Sequence, residues 1–403
     1  METNKDLEQS AQRNRELQWA GLLLKKERLE KGWSQESVCK GICAVSTLSK
    51  IESGKAVGSE EILGLLAKRL DVSLMNGNAG WNQRREELWK LLQAGQTYDA
   101  LCLLEQLEAQ RKEQGELPDL TWLLLLGLFK KDDSWKLLED AQSLMNRTDR
   151  MLYGILNREY EQVLLLQPDA WIMQFCMDGL YRQRGSETRV LEIGVQAYEK
   201  AAEEGELLLM AEISTFQGMV SSNLMDLQAA FRYMKRAEKM YLRLEAWPFL
   251  DEIYYNLGCT WMSVGRFDQA REYLEKIRSL DTRMPLNKLA ICYEQLGNPE
   301  KALALLDQAR NADSDGWSDE MTGRMIDVTR YRLEHADWLH QEEYGRKLMS
   351  LFDELSQTDI HKGFAQFYLP WVIQWLKTSR QYARLVDMLE HFSKLSLFEP
   401  VKG

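Results

Sequence analysis

The chain has 403 residues, 45% of them hydrophobic, which is too long for one ordinary core and too apolar for a disordered chain, so two or more packed units are expected. Its net charge of −11 is uneven, because residues 1–76 hold 12 Lys+Arg against 11 Asp+Glu while the remainder holds 39 against 51. An acidic protein can bind DNA only if its cations are gathered on one module and the acidic part faces away from phosphate. Few prolines, plentiful Leu, Glu, Lys and Gln, and scarce Val-Ile-Thr alternation give an all-α class. No run approaches the roughly 18 apolar residues that span a bilayer, the longest being Trp122 to Phe129, and there is no secretory signal, so a cytoplasmic protein is expected. The six cysteines contain no Cys-x-x-Cys pair and read as small buried thiols rather than as zinc ligands or disulfides.

Leu17 to Glu30 has helical apolar spacing and closes at Gly32. Ser34 then caps a short second helix running into Gly41, and Ala44 to Ser53 is a third helix with Leu48 and Ile51 inward. Ser59 caps a fourth, Glu60 to Leu70. Short helices with a tight turn between the second and third let one helix protrude into a major groove. The predicted organisation is a reading head over residues 1–74, a linker over 75–80 and a helical repeat domain over 81–403.

The segments Ser34-Gln35-Glu36, Leu48 to Lys55 and Leu63 to Leu70 resemble the phage-repressor-like helix-turn-helix family. The resemblance implies that Gln35 bonds a DNA phosphate and that Lys55 meets the backbone just after the third helix. It also implies that Val45, Ser46, Thr47 and Lys50 form the face that reads base edges, where Lys50 can donate to guanine and Thr47 can touch a thymine methyl. Arg28 and Glu52 resemble the family's internal ion pair. Ser34 is open to a pure capping role and Val45 to partial burial, because the segment between Val38 and Leu48 is about one residue shorter than the family pattern.

From Trp81 onward the chain reads as successive helix pairs. Tyr254, Leu257, Gly258, Trp261, Gly265, Ala270, Leu274 and Ile277 are echoed 32 residues later by Leu286, Leu289, Ala290, Tyr293, Gly297, Ala302, Leu306 and Ala309. This resembles the tetratricopeptide repeat, whose period is about 34 and whose small residues let paired helices pack closely. Weaker copies surround Gly218, Ala230, Met234 and Ala237, and Leu91, Ala100, Leu104 and Leu107, while Ala170 to Glu204 fits another pair without the landmarks. Degenerate amphipathic helices follow at Glu320 to Leu333, Glu342 to Leu355, Phe364 to Lys377 and Ala383 to Leu397. The whole predicts a right-handed tetratricopeptide-like α-solenoid of about seven to nine pairs, with a concave face made by the first helix of each.

Such a groove suits an extended peptide, whose backbone groups need partners that Asn side chains can supply. Asn256 and Asn287 hold nearly equivalent places one repeat apart, with Asn223, Tyr255 and Lys288 beside them. A solvated polar role remains open for each. The order of helix-turn-helix and tetratricopeptide domains resembles the peptide-pheromone receptors of Gram-positive bacteria, the group of Rgg, PlcR and PrgX regulators. That resemblance implies a homodimer on a palindromic DNA operator, switched by a short signalling peptide, with no membrane partner. A DNA-tethered protein-interaction scaffold without a small ligand is the alternative. The four histidines lie at no metal-ligand spacing and there is no Gly-rich phosphate loop or Gly-x-Ser-x-Gly elbow, so no enzyme, metal or cofactor is assigned.

Overall fold

The computed structural model describes residues 4–74, 79–183, 186–224, 226–312, 319–357 and 362–396. Of the expected linker over residues 75–80, Met75 to Asn78 lie outside the described residues, as does His361, and Ala79 and Gly80 belong to the next helix. The chain divides into two compact units, one of Met1–Ser186 with Glu192–Leu209 and one of Glu187–Leu191 with Met210–Gly403.

The first unit begins with α1 (Asn4–Glu30), α2 (Gln35–Cys39), α3 (Val45–Glu52) and α4 (Glu60–Arg69). Helix α1 starts thirteen residues before the predicted Leu17. The added turns lack an apolar stripe but contain no Gly or Pro, and Arg13 on them pairs with Glu16 and with Glu60 of α4. Ser34 and Ser59 cap α2 and α4 as expected, accepting from the amides of Ser37 and Ile62. Leu24, Val38, Leu48, Ile51, Leu63, Leu66 and Leu70 form the core of this group, each 2% exposed or less.

The unit continues through α5 (Ala79–Gln93), α6 (Thr97–Glu113), α7 (Leu120–Lys130), a 3-10 stretch (Asp133–Leu144), α8 (Arg147–Leu156), α9 (Tyr160–Leu165) and α10 (Ala170–Arg182). The apolar run at Trp122 lies in α7, buried within the protein. The four amino-terminal helices are sewn to this region on both sides of the expected linker. The Trp19 indole donates to the Pro118 carbonyl at 3.1 Å, and Ser73 exchanges main-chain bonds with Gly115 and Leu117 at 2.9 and 2.8 Å. The Ser73–Glu116 bridge formed there is the β pairing found among the described residues.

After α11 (Glu187–Glu204) come α12 (Leu207–Asn223), α13 (Leu227–Leu244), α14 (Trp247–Ser263), α15 (Phe267–Leu274), α16 (Arg283–Gln295) and α17 (Pro299–Asn311). They are followed by α18 (Asp319–Glu334), α19 (Glu342–Gln357), α20 (Lys362–Thr378) and α21 (Tyr382–Ser396). Successive helices of the second unit pack as neighbours, and first helices also meet across pairs, α14 with α16 and α16 with α18. The small-residue landmarks sit where helices approach most closely. A Cβ on Gly258 would lie 2.7 Å from Leu274, one on Gly218 would lie 2.6 Å from Met234, and Ala270, Ala290, Ala302 and Ala309 are fully buried.

Candidate nucleic-acid interface and repeat-domain site

Helix α3 is held from one side by charge. Arg28 on α1 donates through Nε and Nη2 to the two carboxylate oxygens of Glu52 on α3, at 2.6 and 2.8 Å, and through Nη1 to the Trp33 carbonyl at 2.7 Å. Both side chains are buried, at 7% and 2% exposure. The Glu52 hydrogen bonds, set against the cost of burial, hold the Arg28 pKa above its ordinary value. Gln35 at the start of α2 completes the group, its Nε2 donating to Glu52 at 2.8 Å. In the free protein its amide therefore serves the internal network rather than standing clear for phosphate.

On the opposite side of α3, Val45, Ser46 and Lys50 are exposed and Thr47 is half-buried, while Lys55 is exposed beyond Gly54. Val45 is 44% exposed, so the short turn through Gly41 places it at the rim of the face and not in the core. Gly41 and Gly54, with φ of +77° and +67°, take the left-handed turns that bracket α3. Two supports escaped the sequence reading. A Cβ on Gly21 of α1 would come within 2.7 Å of Ile51, so that glycine sets how closely α1 and α3 approach. Arg69 of α4 donates to the carbonyls of Val38 and Lys40, fixing the turn between α2 and α3. Neither has a periodic sequence signal, since each depends on a residue far along the chain.

In the second unit the expected ligand residues fall into two groups. Asn223, Tyr255 and Asn256 are half-buried, and α12 meets α14 nearby through a 3.2 Å hydroxyl contact between Ser222 and Thr260. Asn287 and Lys288 are buried, at 0% and 2% exposure, where an open groove was expected. The physical reason is α20. Its Phe367 ring lies 3.5 Å from the Lys288 ammonium, Tyr368 lies beside Asn287, and Trp371 stacks 4.5 Å over the Arg332 guanidinium. Burial lowers the Lys288 pKa to about 8, against small opposing effects of the neighbouring Cys259 and Cys292. Tyr255 also adjoins Cys259, so Tyr255 and Lys288 share one neighbourhood.

The unit has an interior seam of polar groups. Arg332 of α18 makes a two-bond pair with Glu294 at 2.8 and 2.7 Å, and Arg236 of α13 donates to Ser214 and Gln217 at 3.0 and 2.8 Å. Gln217 Nε2, Ser221 Oγ, Thr322 Oγ1, Tyr368 Oη and both polar atoms of Asn287 are buried without a hydrogen-bond partner. Asn287 and Tyr368 are neighbours, but neither completes a bond of good geometry. These atoms sit on α12, α16, α18 and α20, all four of them first helices of their pairs. Arg332, Glu294 and the α20 aromatics were not singled out from sequence; the dense run Phe367-Tyr368-Leu369-Pro370-Trp371 was the available signal.

Among the described residues no group of three His, Cys, Asp or Glu side chains is placed to hold a metal, and no helix is long and apolar enough to cross a membrane.

The helix-turn-helix family matches residues 24–75. The tetratricopeptide repeat family matches residues 262–319. The chain carries a DNA-binding helix-turn-helix ahead of tetratricopeptide repeats. The helix-turn-helix match begins at Leu24 and so takes in Arg28, Glu52 and the whole outward face of α3. The repeat match runs from the end of α14 to the start of α18, taking in Gly265 to Ile277 of the first landmark set and all of the second, Leu286 to Ala309. No curated protein matches the sequence. Among solved structures, the crystal structure of Bacillus thuringiensis PlcR in complex with the peptide PapR7 and DNA aligns at 15% identity. That alignment covers 72% of this chain and 99% of that one, with a TM-score of 0.31.

Proposed function

We propose that this protein is a cytoplasmic transcription regulator that reads a DNA operator as a homodimer through α3 and takes a short signalling peptide in its repeat domain. The observation that carries the DNA half is the outward face of α3. Val45, Ser46, Thr47 and Lys50 point away from a core that Arg28, Glu52 and Gln35 lock from behind, and Lys55 follows at the helix end. A rigidly backed, exposed short helix is what groove reading requires, because a base contact off by one ångström is lost. The peptide half is supported by the polar seam, since groups such as Asn287, with an unused donor and acceptor, match the backbone of an extended chain. Asn256 and Asn223 offer further contacts at the rim of that seam. Binding must favour one arrangement of the dimer over the other for the operator to feel it.

The test is fluorescence anisotropy of the purified full chain on DNA from upstream of its own gene, against a scrambled duplex at the same salt. Selective binding that a short peptide then shifts is the expected result. Equal, weak binding to both duplexes would sink the regulator.

A further inference from the structure

Two of the six thiols flank the turn that aims α3. Cys39 is the last residue of α2, and Cys43 stands immediately before Ala44, the N-cap of α3. The chain between them folds around one atom: the Cys39 carbonyl accepts from the amides of both Ile42 and Cys43, at 2.9 and 3.1 Å. Ordinary bond lengths then leave the two α-carbons no more than about 7 Å apart, which is the upper end of what a disulfide spans. Cys39 is buried and Cys43 half-buried. Burial raises the pKa of the Cys43 thiol and the nearby Cys39 raises it further, so the two sulfurs feel each other.

The turn is pinned on the α2 side and open to movement on the other. Arg69 donates to the carbonyls of Val38 and Lys40, and Gly41 holds the left-handed bend between the two cysteines. The Cys39 thiol is directed back along α2, donating to the Glu36 carbonyl at 3.8 Å. A disulfide requires the two β-carbons to come within about 3.5–4.5 Å, so closing one swings Cys39 out of that contact and draws Cys43 towards α2. Ala44 and Val45 follow Cys43 directly along the chain, and the movement passes to the first turn of α3. A shift of about an ångström there is enough to lose base contacts.

We propose that Cys39 and Cys43 form a dithiol site for small disulfides, whose oxidation to an internal disulfide turns α3 out of register with its operator. The operator half of this statement rests on the DNA-reading role proposed above. Cys43, the more open thiol, loses its proton and attacks one sulfur of the small disulfide, releasing one thiol. Cys39 then loses its proton and attacks the Cys43 sulfur, releasing the second. The protein gives up two electrons and two protons, and the small disulfide becomes two thiols. Because the Cys43 thiol is raised, the first attack is slow at neutral pH, and the site answers a lasting change in thiol balance. Operator and disulfide oppose each other equally. If oxidation weakens operator binding tenfold, saturating operator raises the reduction midpoint of the pair by about 30 mV.

The experiment equilibrates the full chain in buffers of reduced and oxidised glutathione, blocks the remaining thiols and digests with trypsin. Cleavage after Lys40 separates the two cysteines onto residues 32–40 and 41–50, so the internal disulfide reads as these two peptides joined. Joined peptides are expected in oxidising buffer, together with at least about a tenfold loss of affinity for DNA from upstream of the protein's own gene. Dithiothreitol restores both, and Cys43→Ser abolishes the joined peptides and keeps its operator affinity in oxidising buffer. If Cys43→Ser does not fold, Cys39→Ala serves in its place. A folded protein that never joins the two peptides, or that stops at glutathione carried on residues 41–50, overturns the proposal. So does joining that leaves operator affinity unchanged, or an equal oxidative loss in the cysteine variant. Joined peptides in a protein that binds no operator even when reduced would remove the regulator and leave the dithiol site, whereas selective operator binding without joined peptides would do the reverse.

Discussion

Arg28 and Glu52, twenty-four residues apart, meet as a buried two-bond ion pair that ties α1 to the inner side of α3. Removing one partner is costly because the other charge stays buried. Glu52→Ala strands the Arg28 guanidinium and frees Gln35, and is expected to destabilise the first unit by about 3–5 kcal/mol. The double replacement Arg28→Met with Glu52→Leu recovers most of that loss, as matched apolar pairs do. Arg13 and Glu60, both exposed, make the contrast: Arg13→Ala costs less than about 1 kcal/mol. Urea unfolding of the three variants measures the ranking, and a Glu52→Ala protein as stable as Arg13→Ala would show that the pair is solvated in solution.

On the proposed function, the outward face of α3 separates reading from gripping. Lys50→Ala removes a donor within reach of base edges and is expected to cut discrimination between operator and scrambled DNA by about 1–3 kcal/mol. Lys55→Ala, beyond the helix end, lowers affinity for both duplexes alike and reduces the salt slope by about one. Anisotropy titrations across a salt series separate the two effects. If both substitutions lower both affinities equally, α3 grips the backbone without reading it.

What was legible in the sequence had local signals. Ser34, Ser59, Gly41 and Gly54 mark helix ends by their own chemistry, and the 32-residue echo around Gly258 and Ala290 follows from a packing rule repeated along the chain. Arg28 and Glu52 were legible only through resemblance, since nothing in their spacing pairs them. The early turns of α1 were missed because no apolar stripe marks them. The cover over Asn287 and Lys288 was missed for a deeper reason. Periodicity shows which face of α16 turns inward, but not that a helix some eighty residues later lies upon it.

Glycine positions in the second unit divide by what surrounds them. Gly258→Ala pushes a methyl against Leu274 and is expected to cost about 1–3 kcal/mol, because both helices must part to admit it. Gly345→Ala overlaps the ring of Trp375 and costs at least as much. Gly323, inside α18 with open space around it, behaves oppositely: Gly323→Ala is expected to add about 0.5–1 kcal/mol through helix propensity. Thermal unfolding of the three variants reads the signs directly. A stabilised Gly258→Ala would mean that α14 and α15 do not pack as closely as described.

Lys288 makes stability depend on alkaline pH in a direction that can be worked out. Its pKa is about 8 in the folded protein and near 10.5 in an unfolded chain, so between these values the unfolded state binds the extra proton. Folding therefore releases a proton in that window, and stability rises as pH climbs from about 8 to 10.5. Below pH 8 both states carry the charge and the cost of burying it is present in full, roughly 3 kcal/mol at about 1.4 per pH unit. The titratable neighbours do not compensate: burial raises the thiols of Cys259 and Cys292, the latter to about 12, and raises the Tyr368 hydroxyl as well. Lys288→Met removes the titration, so it is expected to be more stable than wild type at pH 7 and to lose that advantage towards pH 10.5. The difference in urea unfolding free energy between the two proteins, followed across that range, cancels every other titrating group. A difference that does not change with pH would show that water reaches the ammonium past Phe367, and that α20 does not seal it.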